Sequence, residues 1–443
     1  MTINTAEPVA ILGAGAWGLS TALHLLNTGH TNITVYDQAS QIPSPYSGAY
    51  DLNKIVRAEY EDEFYTELAL KAINTWKTPL WGRNFHQVGY VVAVTGAAPD
   101  KAVKHLQKAL GSVKDHPVFS GGITSLDTSQ AFKDVFWQFS GPLNGFRGYH
   151  NRLAGYAHSS NVMADMYQHL AGRGVKFVLG SVEGKAVKLL YSDDRDGPGR
   201  RCTGFQVASG KVHRATITIA CLGAWAAMLI PDIGSYVKAK SWSVAHVQLT
   251  ERECDYLRGI PVLNVRDLGF FFEPDPATRL LKLCPLGAGY INTDKNTGIS
   301  LPPGETLQAT KDYIPAIDEK KLRTLLRETL PWLAGRPFVD KKMCWFADTG
   351  DSEYTVDFVP NTSNSLIVLS GDSGHGFKMM PIVGEWVVQL LKDGKQSLTR
   401  WQWRQIQGKG ANEWGDDVSW RIGTTEEIRE VTKEQARVMG ARL

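Results

Sequence analysis

Three glycines, Gly13, Gly15 and Gly18, stand in G-x-G-x-x-G spacing between the apolar run Val9 to Leu12 and an amphipathic segment that begins Ala16-Trp17. A second β-rich run, ITVY, follows and ends in Asp37. Residues of these types at this spacing can capture a pyrophosphate. The glycines permit a tight turn and a close backbone approach, and the N-terminus of the following helix supplies amide donors and partial positive charge. Asp37, about 20 residues beyond the glycines, is placed to hydrogen-bond a ribose hydroxyl. Strand, turn, helix, strand and acid occur in register, which predicts a dinucleotide site; the spacing does not choose between FAD and NAD.

Five more positions carry side chains able to do chemistry. Cys344 lies in KKMCWFAD (341–348), far from every other cysteine. A free cysteine is ordinarily a small buried hydrophobe, but nearby lysines favour its thiolate. Lys282 interrupts the apolar run Leu280-Leu281-Lys282-Leu283-Cys284. Lys378 closes Ser373-Gly374-His375-Gly376-Phe377-Lys378, and Lys54-Ile55-Val56-Arg57 places two cations three residues apart. Lysine and arginine are mostly solvated surface groups, so each needs a context before it acquires a role.

That context is a chain of 443 residues, long enough for more than one domain, with 43% hydrophobic and 21% charged residues, as in ordinary globular proteins. Its net charge of +3 comes from scattered basic residues, which gives no nucleic-acid footprint. Five cysteines without a CxxC pair argue against a disulfide framework or a metal site and for a reducing compartment. The first residues show no secretory signal, and no apolar run approaches the roughly 20 residues a membrane helix needs. The last three, Ala441-Arg442-Leu443, are a small-basic-leucine variant of the peroxisomal Ser-Lys-Leu address.

Parallel-sheet signals lie at 8–37, about 150–230 and 343–395, whereas 85–145 and 236–338 are strand-rich without nucleotide features. The stretch ATITIACLGAWA (215–226) reads as a strand followed by a Gly-Ala turn, similar to the second flavin-domain strand of glutathione-reductase-type FAD proteins. The expected organisation is a discontinuous FAD-binding domain (1–84, 146–235 and 339–405), a substrate domain (85–145 and 236–338) and a tail along the surface (406–443). SDDRDGPGRR (192–201) reads as a surface turn.

With the glycine motif, SGAYDLNKIVRAEY (47–60), GFFFEP (269–274), LLKLCP (280–285), MCWFADT (343–349) and SGHGFKMMP (373–381), the chain resembles the monomeric sarcosine oxidase family of FAD-dependent amine oxidases over about residues 8–405. Within it, the sequence resembles the fungal branch of amadoriases (fructosyl amino acid oxidases) and saccharopine and pipecolate oxidases. The resemblance implies an α/β (α+β overall) fold, with a Rossmann-like FAD-binding domain and an antiparallel-sheet substrate domain of the glutathione-reductase/D-amino-acid-oxidase type. It implies FAD attached covalently to Cys344 through an 8α-S-cysteinyl thioether. Gly13, Gly15, Ala16, Trp17, Gly18, Asp37, Ser47, Lys54, Asp372, Gly374, Gly376, Phe377 and Lys378 are the matching cofactor positions. Lys378 and Arg57 match the pair that clamps the substrate carboxylate and aims Cα–H at flavin N5. Lys282 matches the lysine on the other flavin face, whose charge stabilises superoxide as O2 is reduced, and Lys54 belongs to the same catalytic set.

The implied reaction is oxidation of a secondary amine to an imine that hydrolyses, with release of H2O2; peroxisomes hold catalase, which gives the terminal tripeptide a rationale through an import receptor. Two departures bear on substrate. Where amadoriases carry an acid after the oxygen lysine, this chain has Cys284-Pro285-Leu286, and it has Arg57 where they generally lack arginine. Both favour an N-substituted or cyclic L-amino acid of saccharopine or pipecolate type, acted on by a monomer. An amadoriase, a secondary-metabolism amine oxidase on the same scaffold, and a catalytically silent flavin-binding protein are the competing readings. Trp401-x-Trp403-Arg404 fits the saccharopine branch, although such an aromatic pair is more often packing.

Overall fold

The computed structural model describes residues 4–193, 199–303, 312–404, 418 and 420–433. Val9–Leu12 is apolar at every position because it is central in a six-stranded sheet and buried on both faces. Ile33–Asp37 and Ile217–Ala220 flank it in parallel register, Val9 facing Ile33 and Ile217. The sheet order is Thr355–Phe358, Leu366–Ser370, Ile217–Ala220, Val9–Leu12, Ile33–Asp37, Lys176–Leu179; only the first of these runs antiparallel to its neighbour. The helix Ala16–Asn27 crosses Val383–Asp393 where Gly384 meets Ser20, and a Cβ at Gly384 would lie 2.3 Å from the Ser20 carbonyl oxygen.

A ten-stranded, mostly antiparallel sheet forms the second layer, with Val237–Gln248 as its longest strand. That strand pairs with Leu280–Pro285, setting Lys282 opposite His246, and with Val339–Thr349, setting Cys344 opposite Trp242. Register across one strand therefore brings Lys282 and Cys344, 62 residues apart, to the same side of the molecule. A small sheet of Lys54–Val56, Gly155–Ala157 and Phe85–His86 supplies the segment that carries Lys54 and Arg57.

Sequence and structure part at three places. Arg147–Asn151 and Val339–Thr349, expected in the FAD-binding domain, both pair in the ten-stranded sheet. An apolar strand carries the same local pattern in either layer, and only its pairing partner decides. The described part of the C-terminal segment is not confined to the surface. Trp420 lines the central cavity, and Arg421, only 2% exposed, donates hydrogen bonds to Asp348, the Thr349 carbonyl and Ser352. The Asp348 carboxylate answers that buried charge.

Residues 194–198 of the expected surface turn and the terminal tripeptide lie outside the described residues; the turn's flanks, Ala186–Asp193 and Arg200–Val207, form an antiparallel hairpin. Among the described residues no helix is long and apolar enough to cross a membrane.

Candidate active site

The glycine turn is built by steric exclusion. Gly13 has φ +101°, and a Cβ there would lie 2.3 Å from the Cys221 carbonyl oxygen, so the turn closes against the strand end at 217–220. A Cβ at Gly18 would lie 1.9 Å from the Gly13 carbonyl oxygen, which places Gly18 under the turn as packing. At Gly15 a Cβ meets only Ser47 Oγ at 3.3 Å, so this backbone is open to the cavity. Gly15 caps the helix without a side-chain hydrogen bond, leaving first-turn amides for a ligand. Asp37 accepts from the Ala14 and Ala39 amides at 2.8 Å each and from Ser44 Oγ at 3.0 Å. Burial pushes its carboxyl up, and those donors oppose the shift.

From this cradle one cavity of about 480 Å³ runs between the two sheets. It is lined by Gly13, Gly15, Ala16, Trp17, Asp37, Ser47, Lys54, Arg57, Lys282, Cys344, Asp372, Gly374, Phe377 and Lys378, which brings all but two of the sequence-derived site residues into one space. Gly18 and Gly376 are the exceptions. Gly376 packs beneath, where a Cβ would lie 2.7 Å from both Asp372 Cβ and Trp17 Cζ2, and its carbonyl accepts from Trp17 Nε1 at 3.2 Å. Burial pushes Asp372 up to about 7, and neighbouring Asp348 adds to the shift.

Sequence reasoning missed the residue at the centre of the cationic cluster. Asp51 is fully buried, with Oδ2 2.5 Å from Lys282 Nζ and 2.8 Å from Lys54 Nζ, while Lys342 Nζ lies 3.9 Å from Oδ1. Burial opposes the Asp51 charge, but Lys282, Lys54 and Lys342 hold its carboxyl well below the usual range. Lys282, 1% exposed, also donates to the Asn53 carbonyl at 2.6 Å and lies 4.8 Å from the centre of the Phe272 ring. Burial lowers its pKa, and Asp51 opposes the loss of its proton. Lys54 Nζ lies 3.8 Å from Cys344 Sγ, so the thiol faces an ammonium group as well as the cavity.

Across the cavity Tyr60 joins the other two cations. Its hydroxyl accepts from Lys378 Nζ at 2.8 Å, and its ring centre lies 4.8 Å from Arg57 Cζ. The Tyr60 and Tyr354 hydroxyls lie 3.0 and 2.8 Å from His375 Nδ1, and His375 Nε2 reaches the Ser352 carbonyl at 2.9 Å, so the Nε2–H tautomer donates there and Nδ1 is the acceptor that the two hydroxyls share. Burial and the Lys378 charge keep this histidine well below its ordinary value, hence neutral. Burial and nearby Arg57 likewise push Lys378 well below the ordinary lysine range. An arriving carboxylate would reverse that shift, so these groups are arranged to take up an anion. Glu59, buried beside Arg57, is held by Asn151 Nδ2 at 2.6 Å.

The donor set fits FAD. The cradle, the open face at Gly15 and the Asp37 carboxylate suit the adenosine diphosphate half, and Trp345 Nε1 and Ser370 Oγ, both lining the cavity, are buried polar atoms with no protein partner. Such orphaned groups ordinarily have a ligand or water. Pro285 and Leu286, where an acid distinguishes the amadoriases, line the same cavity.

The chain is 30% identical to L-saccharopine oxidase of Schizosaccharomyces pombe over 90% of this chain and 93% of that one. It is 23% identical to monomeric sarcosine oxidase of Arthrobacter sp. over 89% and 95%. Its structure superposes on the deglycating enzyme fructosamine oxidase (Amadoriase II) of Aspergillus fumigatus with TM-score 0.86 and 29% identity, covering 97% of each chain. Residues 8–390 match the family described as FAD dependent oxidoreductase, and the protein belongs to that family.

Proposed function

We propose that the protein oxidises the secondary amine of an N-substituted L-amino acid of saccharopine type, with O2 as final acceptor and H2O2 and a hydrolysable imine as products. The observation that carries this reading is the pairing of Lys378 and Arg57 on Tyr60, in the cavity that Lys282 also lines. Bound FAD supplies the acceptor for the hydride and the electrons for oxygen. The protein's part is placement. Lys378 and Arg57 hold the substrate carboxylate, the arginine fork fixing its orientation, and Phe270 and Phe272 give the chamber water-excluding walls. Lys282, held by Asp51, presents a fixed cation where negative charge develops on oxygen. Cys344, beside Lys54, is the proposed site of a thioether to the flavin 8α carbon. The terminal Ala441-Arg442-Leu443 is the proposed peroxisomal address.

The structural match to a fructosamine oxidase favours a second reading, turnover of fructosyl amino acids. Against it, Pro285 and Leu286 offer no side-chain partner for sugar hydroxyls. A peroxide-release screen of saccharopine, pipecolate, sarcosine and fructosyl amino acids decides between them. Saccharopine or pipecolate is expected to outperform the sugar adducts; turnover of fructosyl amino acids alone would overturn the proposal.

A further inference from the structure

Among the described residues one buried cation in the cavity has no ion-pair partner: the acid that acts on it through space, Glu61, is already engaged by His105 and Lys108. Arg266 is 5% exposed and lies between the strands Val262–Val265 and Gly269–Phe271. Its side chain donates only to neutral oxygens, Nη1 to Asn264 Oδ1 at 3.3 Å and Nη2 to the Trp420 carbonyl at 2.9 Å, while Nε is buried without a partner. Among the described residues no carboxylate lies within ion-pair distance of it. Burial and the nearby Arg57 push its pKa down to about 10, which leaves it charged at neutral pH. Lys378 meets the same difficulty differently, because a lysine can shed its proton; a guanidinium cannot.

Among the described residues the charges around the cavity do not balance. Glu59 lies beside Arg57, and the substrate's α-carboxylate answers the Lys378 and Arg57 pair. Arg266 remains. A buried, unpaired guanidinium is strongly unfavourable, and it is tolerated in a binding cavity when the ligand completes it. Arg266, Arg57, Lys378 and Trp420 line the same cavity, so a single ligand can meet all of them.

We propose that Arg266 receives a second carboxylate of the substrate, so that the protein selects secondary amines with a carboxylate on each arm over amino acids that carry only one. This rests on the reading of the site as that of a secondary-amine oxidase. It places saccharopine, whose glutarate arm carries further carboxylates, ahead of pipecolate, which has one. Trp420 takes part, since its carbonyl holds one guanidinium nitrogen and leaves Nε for the ligand.

The test pairs substrates with Arg266→Gln and Arg266→Lys in the flavin-loaded protein. Peroxide release gives kcat/KM for saccharopine and pipecolate. Binding of thioether analogues bearing one or two carboxylates, in which sulfur replaces the reacting nitrogen, is followed by tryptophan fluorescence. In Arg266→Gln, saccharopine should lose roughly 30-fold or more in kcat/KM while pipecolate changes less than about threefold. Arg266→Lys should fall between, keeping the charge without the fork. The two-carboxylate analogue should lose affinity in the same order. Equal losses with both substrates, as a fold defect would give, or unchanged binding of the two-carboxylate analogue, would overturn the assignment. No peroxide from either compound, with the two-carboxylate analogue still bound through Arg266, would overturn the oxidase reading and leave the anion site standing.

Discussion

Asp51 Oδ2 lies 2.5 Å from Lys282 Nζ and 2.8 Å from Lys54 Nζ, so one buried carboxylate fixes both lysines, the second of them beside Cys344. Removing it leaves Lys282, which is 1% exposed, and Lys54 without their shared counter-charge. Asp51→Asn should cost about 3–5 kcal/mol in denaturant unfolding, a typical loss when one partner of a buried ion pair is removed. The folded-state pKa of Asp51 is depressed, so its contribution is fully present above the unfolded value of about 3.9 and is lost as pH falls further. Wild type should therefore lose this stability between about pH 4 and more acidic values. Asp51→Asn should lack that component of its stability-against-pH curve. An unchanged unfolding midpoint would remove Asp51 from the centre of the cluster.

Covalent flavin is checked by denaturation. Acid-precipitated wild type should stay yellow and fluoresce on a denaturing gel, and Cys344→Ser should release its flavin to the supernatant. Retention of flavin by Cys344→Ser under the same treatment would place the linkage elsewhere.

Arg57→Ala tests the carboxylate clamp. With a carboxylate-bearing secondary amine the loss in kcat/KM should correspond to about 2–5 kcal/mol, much of it from leaving the substrate anion against one cation. With an uncharged amine analogue the same substitution should cost far less. Equal losses on the two substrates would make Arg57 a structural residue.

How much of this was legible in the sequence follows from distance along the chain. The glycine turn and Asp37 form a local device, and local spacing exposes it. Cys344, Lys282 and Lys378 were found through family blocks; strand register gathers the first two, and the short helix Phe377–Met379 brings Lys378 to the same cavity. Asp51 was invisible because its partner Lys282 is 231 residues away and an acid three residues before Lys54 looks like a turn residue. Tyr60 reads as one more buried aromatic until its hydroxyl is seen between Lys378 and His375. Arg266, in Asn-Val-Arg-Asp-Leu-Gly, has the composition of a surface turn. Its burial depends on Trp420 in a segment with few apolar residues to announce packing. The strand Val339–Thr349 pairs outside its expected layer for a related reason, because an apolar alternation does not name its partner.

The proposed division of labour across the cavity, oxygen on the Asp51–Lys282 side and substrate on the Tyr60 side, is tested most directly by stopped-flow half-reactions on Lys282→Met. Anaerobic reduction by substrate should stay near the wild-type rate. Reoxidation of the reduced flavin by O2 should slow by roughly two orders of magnitude or more, as loss of a preorganised charge facing a developing anion implies. Equal slowing of both half-reactions, or slowing of reduction alone, would contradict the assignment of Lys282 to oxygen.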